Sequence, residues 1–339
     1  MEIKDLTGLS EPLTRLIDVI AQGIGGVFAP YLIRTKADAK AHEIRVISQA
    51  LGEVAAKHNL PVIYKDGELE LWQKPEDKTL ILDTTAIENR SNHRLEYQER
   101  RRQANIENIT SVAAAELAED EEVAPESPDE DWVARFFSSA QDVSSDQMQD
   151  LWGRILAGEI RHPGTYSLRT LDFIRNLTKD EAELVAHVAK LALFWKGNSF
   201  IPSADKDVLG KRGLVDGHHF SLGELDVLYP SDLRLKTFRD ESVEEEAFIF
   251  GERLLLIKRG EIASEIPVTI WKFTNIGREL LPLVPTQIDD DYLEQFGQTF
   301  VARKGKAYIA EITDRLPNGQ IGYSTIREIV ANTDAGNAT

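Results

Sequence analysis

The sequence predicts a mainly α fold, with helical N-terminal and central domains followed by an α+β, winged-helix-like C-terminal part. Three observations carry this expectation. Apolar residues recur at helical spacing through most of the first 195 positions. Ser, Thr and Asp stand as cap signals in front of those periodic segments. After Leu209 the pattern changes to short apolar runs that read as strands.

Taken in order, Ser10 stands where it can cap a helix and Pro12 falls in its first turn, where proline is tolerated. Leu13, Leu16, Ile17, Ile20, Ile24 and Val27 form its apolar face, which Gly23, Gly25 and Gly26 weaken and Pro30 ends. Ala37, Ala41, Ile44, Leu51 and Ala55 form a narrow stripe of a second helix. Residues 60–72 read as a hairpin turning at Asp66-Gly67. Ile87 to Leu117 is again helical and locally basic at Arg90, Arg94, Arg100, Arg101 and Arg102. Residues 119–130 are acidic, with Pro125 and Pro128, and read as a solvated linker.

Asp131 then caps a short helix bearing Trp132, Phe136 and Phe137. Ser144 and Gln147 box the next one, whose apolar face is Met148, Leu151, Trp152, Ile155 and Leu156. Pro163-Gly164 ends that helix, Ser167 opens another through Leu177, and Thr178 with Glu181 boxes a further one to about Trp195. Residues 209–215 look like a helix end followed by a strand, and Ser221 with Glu224 caps a short helix. Ala247–Phe250, Arg253–Ile257 and Ile266–Phe273 look like strands. Thr274 starts a helix, and this helix, hairpin, helix order resembles a winged-helix module. A last helix with Tyr292, Leu293, Phe296 and Phe300 is followed by a hairpin turning at Pro317-Asn318-Gly319. The expected division is therefore 1–118, a linker at 119–130, a central helical domain at 131–197, an α+β region at 198–330 and a tail at 331–339.

Composition narrows the function. The formal net charge of the 339-residue chain is -18, which repels phosphate backbones at long range. Nucleic acid is therefore the less favoured partner, its candidate region being 206–274 with Lys206, Lys211, Arg212, Lys258 and Arg259. Glu241 and Glu244–Glu246 stand against those cations in the same module. The chain has no cysteine, so disulfides, thiolate catalysis and Cys-based zinc sites are excluded. A cytoplasmic protein fits that absence. The N-terminus lacks the pattern of a secretory signal, and no run of about eighteen charge-free apolar residues occurs.

Chemistry-bearing motifs are sparse. Gly23-Ile24-Gly25-Gly26 lacks the preceding strand and the spacing of a dinucleotide fingerprint. Ser203-Ala-Asp-Lys206 matches S-x-x-K without that class's companion motifs. His218-His219 has no third ligand at metal spacing. Asp289-Asp290-Asp291 lacks the glycine and terminal glutamate of a calcium loop and reads as a helix N-terminus. No catalytic, metal or cofactor-binding residue is assigned, and the expectation is a non-enzymatic interaction protein without cofactor.

The densest signature runs from Asp150 to Leu171, with Trp152-Gly-Arg154-Ile-Leu-Ala-Gly-Glu159, the Pro163-Gly164 turn and Ser167-Leu-Arg169-Thr-Leu171. Leu9–Leu13, Gly23–Pro30 and Asp131–Phe137 support it. In these residues the chain resembles an uncharacterised bacterial family, domain of unknown function 2806. The Trp-x-x-(Ile/Leu)-Leu-Ala pattern is also similar, remotely, to abortive-infection alpha proteins, which implies a role in phage defence. By itself the signature reads as core (Trp152, Ile155, Leu156) with an ion-pair network of Arg154, Glu159 and Arg169 around the turn. Two partner surfaces remain. Leu13, Leu16, Ile20, Gly25 and Val27 are candidates for self-association into a homo-oligomer, and residues 10–33 are a candidate membrane-touching segment.

Overall fold

The computed structural model describes residues 10–25, 62–65, 68–71, 84–316 and 320–331. The Ala37–Ala55 stripe, Val27, the Asp66-Gly67 turn and the Pro317–Gly319 turn lie outside them. The chain divides into two compact units, residues 1–165 and 166–339. The division falls inside the expected 131–197 domain.

The first unit contains helices α1 (Glu11–Ile24), α2 (Thr84–Glu116), α3 (Glu130–Ala140) and α4 (Asp146–Arg161), with a hairpin of β1 (Val62–Lys65) and β2 (Glu68–Leu71). Ser10 occupies the N-cap of α1, yet its side chain makes no cap bond. Gly25 closes that helix in the left-handed region at φ 70°, its N–H donating to the Ala21 carbonyl. The helix therefore stops at its glycine, well before Pro30. Leu16, Ile17, Val19 and Ile20 are buried, and α1 packs against α3 and α4. Trp132 stacks on Phe136 at 5.1 Å between ring centres, and Phe136 meets Trp152 at a tilt at 5.2 Å.

Two glycines permit this packing. A β-carbon at Gly23 would overlap the Phe137 ring. At Gly153 it would lie 2.5 Å from Val112 and 2.9 Å from the Ile109 carbonyl, so α2 and α4 pass backbone to backbone. Asn105 on α2 donates to the Gln141 carbonyl at 2.8 Å, and Gln149 on α4 donates to Asn105 at 3.0 Å. Two cap positions differ from expectation. Asp129, rather than Asp131, caps α3 by accepting from Trp132 N. Ser145, rather than Ser144, occupies the N-cap of α4, without a side-chain cap bond, and the Ser144 hydroxyl accepts from Arg101 and Asn105 instead. The acidic stretch expected as a linker lies within this unit. Arg161 reaches Asp120 at 2.6 Å, Ala124 N donates to the Arg161 carbonyl, and Arg15 donates to Ser127 and to the Glu126 carbonyl.

The second unit overturns the mainly α expectation. Helices α5 (Leu168–Asn176), α6 (Lys179–Ala189), α7 (Lys206–Gly210), α8 (Asp216–Glu224), α9 (Asn275–Leu280) and α10 (Asp290–Val301) accompany an eight-stranded antiparallel sheet. Its strands are β3 (Leu193–Trp195), β4 (Asn198–Pro202), β5 (Leu233–Thr237), β6 (Glu245–Phe250), β7 (Arg253–Lys258), β8 (Ile266–Lys272), β9 (Lys306–Arg315) and β10 (Ile321–Ile329), in the spatial order β10-β9-β7-β6-β3-β4-β8-β5. The expected wing strands β6 and β7 form, but as interior members of this sheet, so the C-terminal part is a mixed α/β unit and not a small wing on a helical chain. β3 ends the segment expected as helix to Trp195, because Lys196-Gly197 turns the chain back onto β4 with Trp195 opposite Asn198. Ser221 and Glu224 lie inside α8 rather than capping a helix.

Helix α10 covers β7, β9 and β10. Its Phe296 and Phe300 meet Phe248 at 5.1 and 5.7 Å, and Phe200 meets Phe248 at 6.1 Å. The two halves of the sheet join at one residue pair, Phe194 opposite Ile249.

Candidate functional site

The signature residues divide between the two units. In the first, Trp152 is fully buried and its indole Nε1 has no hydrogen-bond partner among the described residues. Arg154 faces Glu116 at 3.9 Å. Glu159 is 1% exposed and accepts from the Gly164 N–H at 2.6 Å, which ties the Pro163-Gly164 turn to its own helix. Gly164 has φ 85°, a conformation that glycine adopts without strain. In the second unit, Arg169 is exposed on α5. The structure thus joins Glu159 to the turn and gives Arg154 a different partner from the one expected.

Ser167 caps α5, and here a residue missed in the sequence matters. Glu279 of α9 accepts from Ser167 N and from the Thr170 hydroxyl, both at 2.6 Å. The Ser167–Leu171 phrase and the Thr274–Leu281 phrase are therefore two halves of one clasp. Thr274 caps α9, and a β-carbon at Gly277 would overlap the Val227 carbonyl, which accounts for that phrase's glycine.

Of the residues expected for self-association, Leu16 and Ile20 are buried in the first unit, Leu13 is half-buried, and Gly25 is the helix cap. Four of the five expected nucleic-acid cations are engaged, and Lys211 is exposed. Arg212 makes a bidentate pair with Asp289 at 2.7 and 3.0 Å and a further contact with Asp291. Lys206 bonds Asp216, Lys258 bonds Glu245, and Arg259 donates to the Val243, Ile262 and Asp240 carbonyls. Asp289 is the N-cap of α10, and the Arg212 guanidinium holds its carboxyl below the ordinary range. Ser203 faces Asp232, away from Lys206. His219 is buried, stacked on Trp271 at 4.6 Å and bonded to the Tyr229 carbonyl. No group of three metal-ligating residues occurs among the described residues. None of the described helices is long and apolar enough to cross a membrane.

The sequence analysis did not anticipate a pocket that the second unit builds on its sheet. It has a volume of about 380 Å³ and lies between the Lys196-Gly197 turn and the end of β5. Its floor is Glu246, 3% exposed, which accepts from Trp195 Nε1 at 2.8 Å, from Lys196 Nζ at 2.7 Å and from Phe238 N at 3.3 Å. Of the acids set against the cations of this module, Glu246 is the one that turns into the core. Strand β6 alternates, and Glu246 points inward with Phe248 and Phe250. Two of its three donors sit in left-handed backbone, Lys196 at φ 45° and Phe238 at φ 52°. Such strain gathers at functional sites. Arg234, Lys236 and Arg239 complete the cationic wall, and Asp240, held below its usual range by the Ser242 N–H, is the second acid.

Fold and site together define a two-unit α/β protein, one unit helical and the other carrying a carboxylate-floored cationic pocket on an antiparallel sheet. Over residues 89–296, more than half of its length, the chain matches the family model described as a protein of unknown function (DUF2806), and it belongs to that family. No curated protein and no solved structure matches it. The likeness to abortive-infection alpha proteins has no support among these matches.

Proposed function

We propose that the protein is a non-enzymatic, intracellular interaction protein that acts in phage defence by docking a protein partner on α8. The observation that carries this is Phe220, which is 64% exposed on a helix whose other side is fixed by buried His219 and Leu222. An aromatic ring presented from an anchored helix loses little freedom on docking, and such rings dominate binding energies. Glu224, one turn on, is an exposed carboxylate, while Asp216 on the other side is paired with Lys206, so the fitting partner carries a basic residue beside an apolar socket. The engagement of Lys206, Arg212, Lys258 and Arg259 by carboxylates and carbonyls supports this reading over a DNA-binding regulator.

The test is phage plating on cells carrying wild type, Phe220→Asp or no gene. The expected result is protection by wild type that Phe220→Asp loses, with an unchanged melting temperature of the purified variant. Equal protection by both proteins rejects the α8 surface. No protection by wild type rejects the defence role.

A further inference from the structure

We propose that the pocket between the Lys196-Gly197 turn and the end of β5 binds a small, multiply charged phosphorylated ligand. The first support is charge. The chain carries -18, yet this pocket gathers Lys196, Arg234, Lys236 and Arg239 against only Asp240 and Glu246. Both acids are turned onto donors of the protein itself, Glu246 as described and Asp240 onto Ser242 N at 2.9 Å. Lys196 and Lys236 have carboxylate partners, Glu246 and Glu265. Arg234 and Arg239 form no ion pair with any described residue. Two guanidinium forks are thus left for an incoming anion, and their planar donor pairs match phosphate oxygens.

The second support is aim. Arg234 and Lys236 share the outward face of β5, two residues apart. Continued alternation would place Phe238 outward and Arg239 inward. The left-handed residue Phe238 breaks that alternation, so its ring is buried and Arg239 joins the pocket wall. A bulky residue in this conformation is strained. It is held by its N–H bond to Glu246 and by Arg259 stacked over its ring at 5.1 Å. The strained residue and the buried carboxylate together place the cations.

The third support is size. A pocket of about 380 Å³ falls at the small end of ligand sites. A compact phosphate compound fits it, whereas the strongly acidic chain opposes an extended nucleic acid.

The test is calorimetric titration of the full-length protein with inorganic pyrophosphate, comparing wild type with the Arg234→Ala/Arg239→Ala double variant. Saturable binding by wild type is expected, weakened at least about tenfold in the double variant. Both side chains are exposed, so the variant's thermal midpoint is expected to match wild type. Lys206→Ala, which removes a cation outside the pocket, is expected to bind as wild type does. Absence of saturable binding in wild type, or equal binding in the double variant, overturns the proposal. A DNA duplex that binds wild type more tightly than pyrophosphate, and is displaced by it, overturns the small-ligand class.

Discussion

Glu279 gathers two donors and Glu246 three, and neither role shows in a reading that treats glutamate as surface. Glu279 receives a backbone N–H and a hydroxyl from the cap of α5. Replacing it with alanine leaves both donors without their charged acceptor, and hydrogen bonds to charged groups contribute about 1.5–3 kcal/mol. Glu279→Ala is therefore expected to lower stability by about 1–3 kcal/mol in urea unfolding, the lower end reflecting its partial exposure. Glu246→Ala strands an indole N–H, an ammonium and a backbone N–H. Breaking a fully buried pair costs about 3–5 kcal/mol, but Lys196 is 57% exposed and regains water, so about 2–3 kcal/mol is expected by the same measurement. An effect under about 0.5 kcal/mol, the scale of ordinary surface substitutions, would show that Glu246 does not hold these three donors.

Among the elements, the crossing of α2 and α4 rests on Gly153. Gly153→Val is expected to destabilise by about 1–3 kcal/mol, because the new carbons meet the Ile109 carbonyl as well as the β-carbon of Val112, neither of which can swing aside. A thermal midpoint unchanged from wild type would refute the backbone-to-backbone crossing. Much at this scale was legible in the sequence. The Thr178–Glu181 capping box, the Ser167 and Thr274 caps and the β6–β7 hairpin all form where local chemistry placed them. Other elements were not legible, for identifiable reasons. β3 has three residues, follows a helix directly and carries no repeat long enough to show alternation. β5 reads Leu-Arg-Leu-Lys-Thr, with charges on one face that look like a loop until its sheet-edge position is known. The pocket was illegible for a related reason. Trp195, Phe238 and Glu246 come from three separated segments, and only the pairing of β3 with β6 and of β4, β8 and β5 brings them together. One signal was available, the Glu246-x-Phe248-x-Phe250 alternation, which places the carboxylate on the apolar face.

At the level of the whole molecule, the Ser167–Glu279 clasp, the complete eight-stranded sheet and the pocket all lie within residues 166–339. A fragment of those residues is expected to fold alone with a cooperative melt, and a fragment that stays unfolded would contradict the division into two compact units. Acid stability follows from Asp289. Its carboxyl is held below its ordinary value chiefly by the hydrogen bond from Arg212, so its contribution is present at neutral pH and is lost as pH falls through the depressed folded value. Asp289→Asn is therefore expected to be less stable than wild type at neutral pH, with the gap in urea midpoint narrowing as the solution is acidified below the ordinary carboxylate range. A gap that stays constant with pH would remove the Arg212 pair as its cause.

The single pairing of Phe194 with Ile249 has a consequence in time as well as in space. Amide hydrogens deep in a sheet exchange only when their ladder opens, and a ladder opens as far as its cooperative bonds extend. With one residue pair bridging β3 and β6, an opening begun in β4, β8 or β5 has little backbone coupling by which to spread into β7 and β9. Amides in β6, β7 and β9, under the phenylalanines of α10, are then expected to exchange slowly and as one set, while those of β4, β5 and β8 exchange faster and at their own common rate. The β3–β6 junction would then act as a kinetic crease, on which the bonds from Glu246 to Trp195, Lys196 and Phe238 act as a brake.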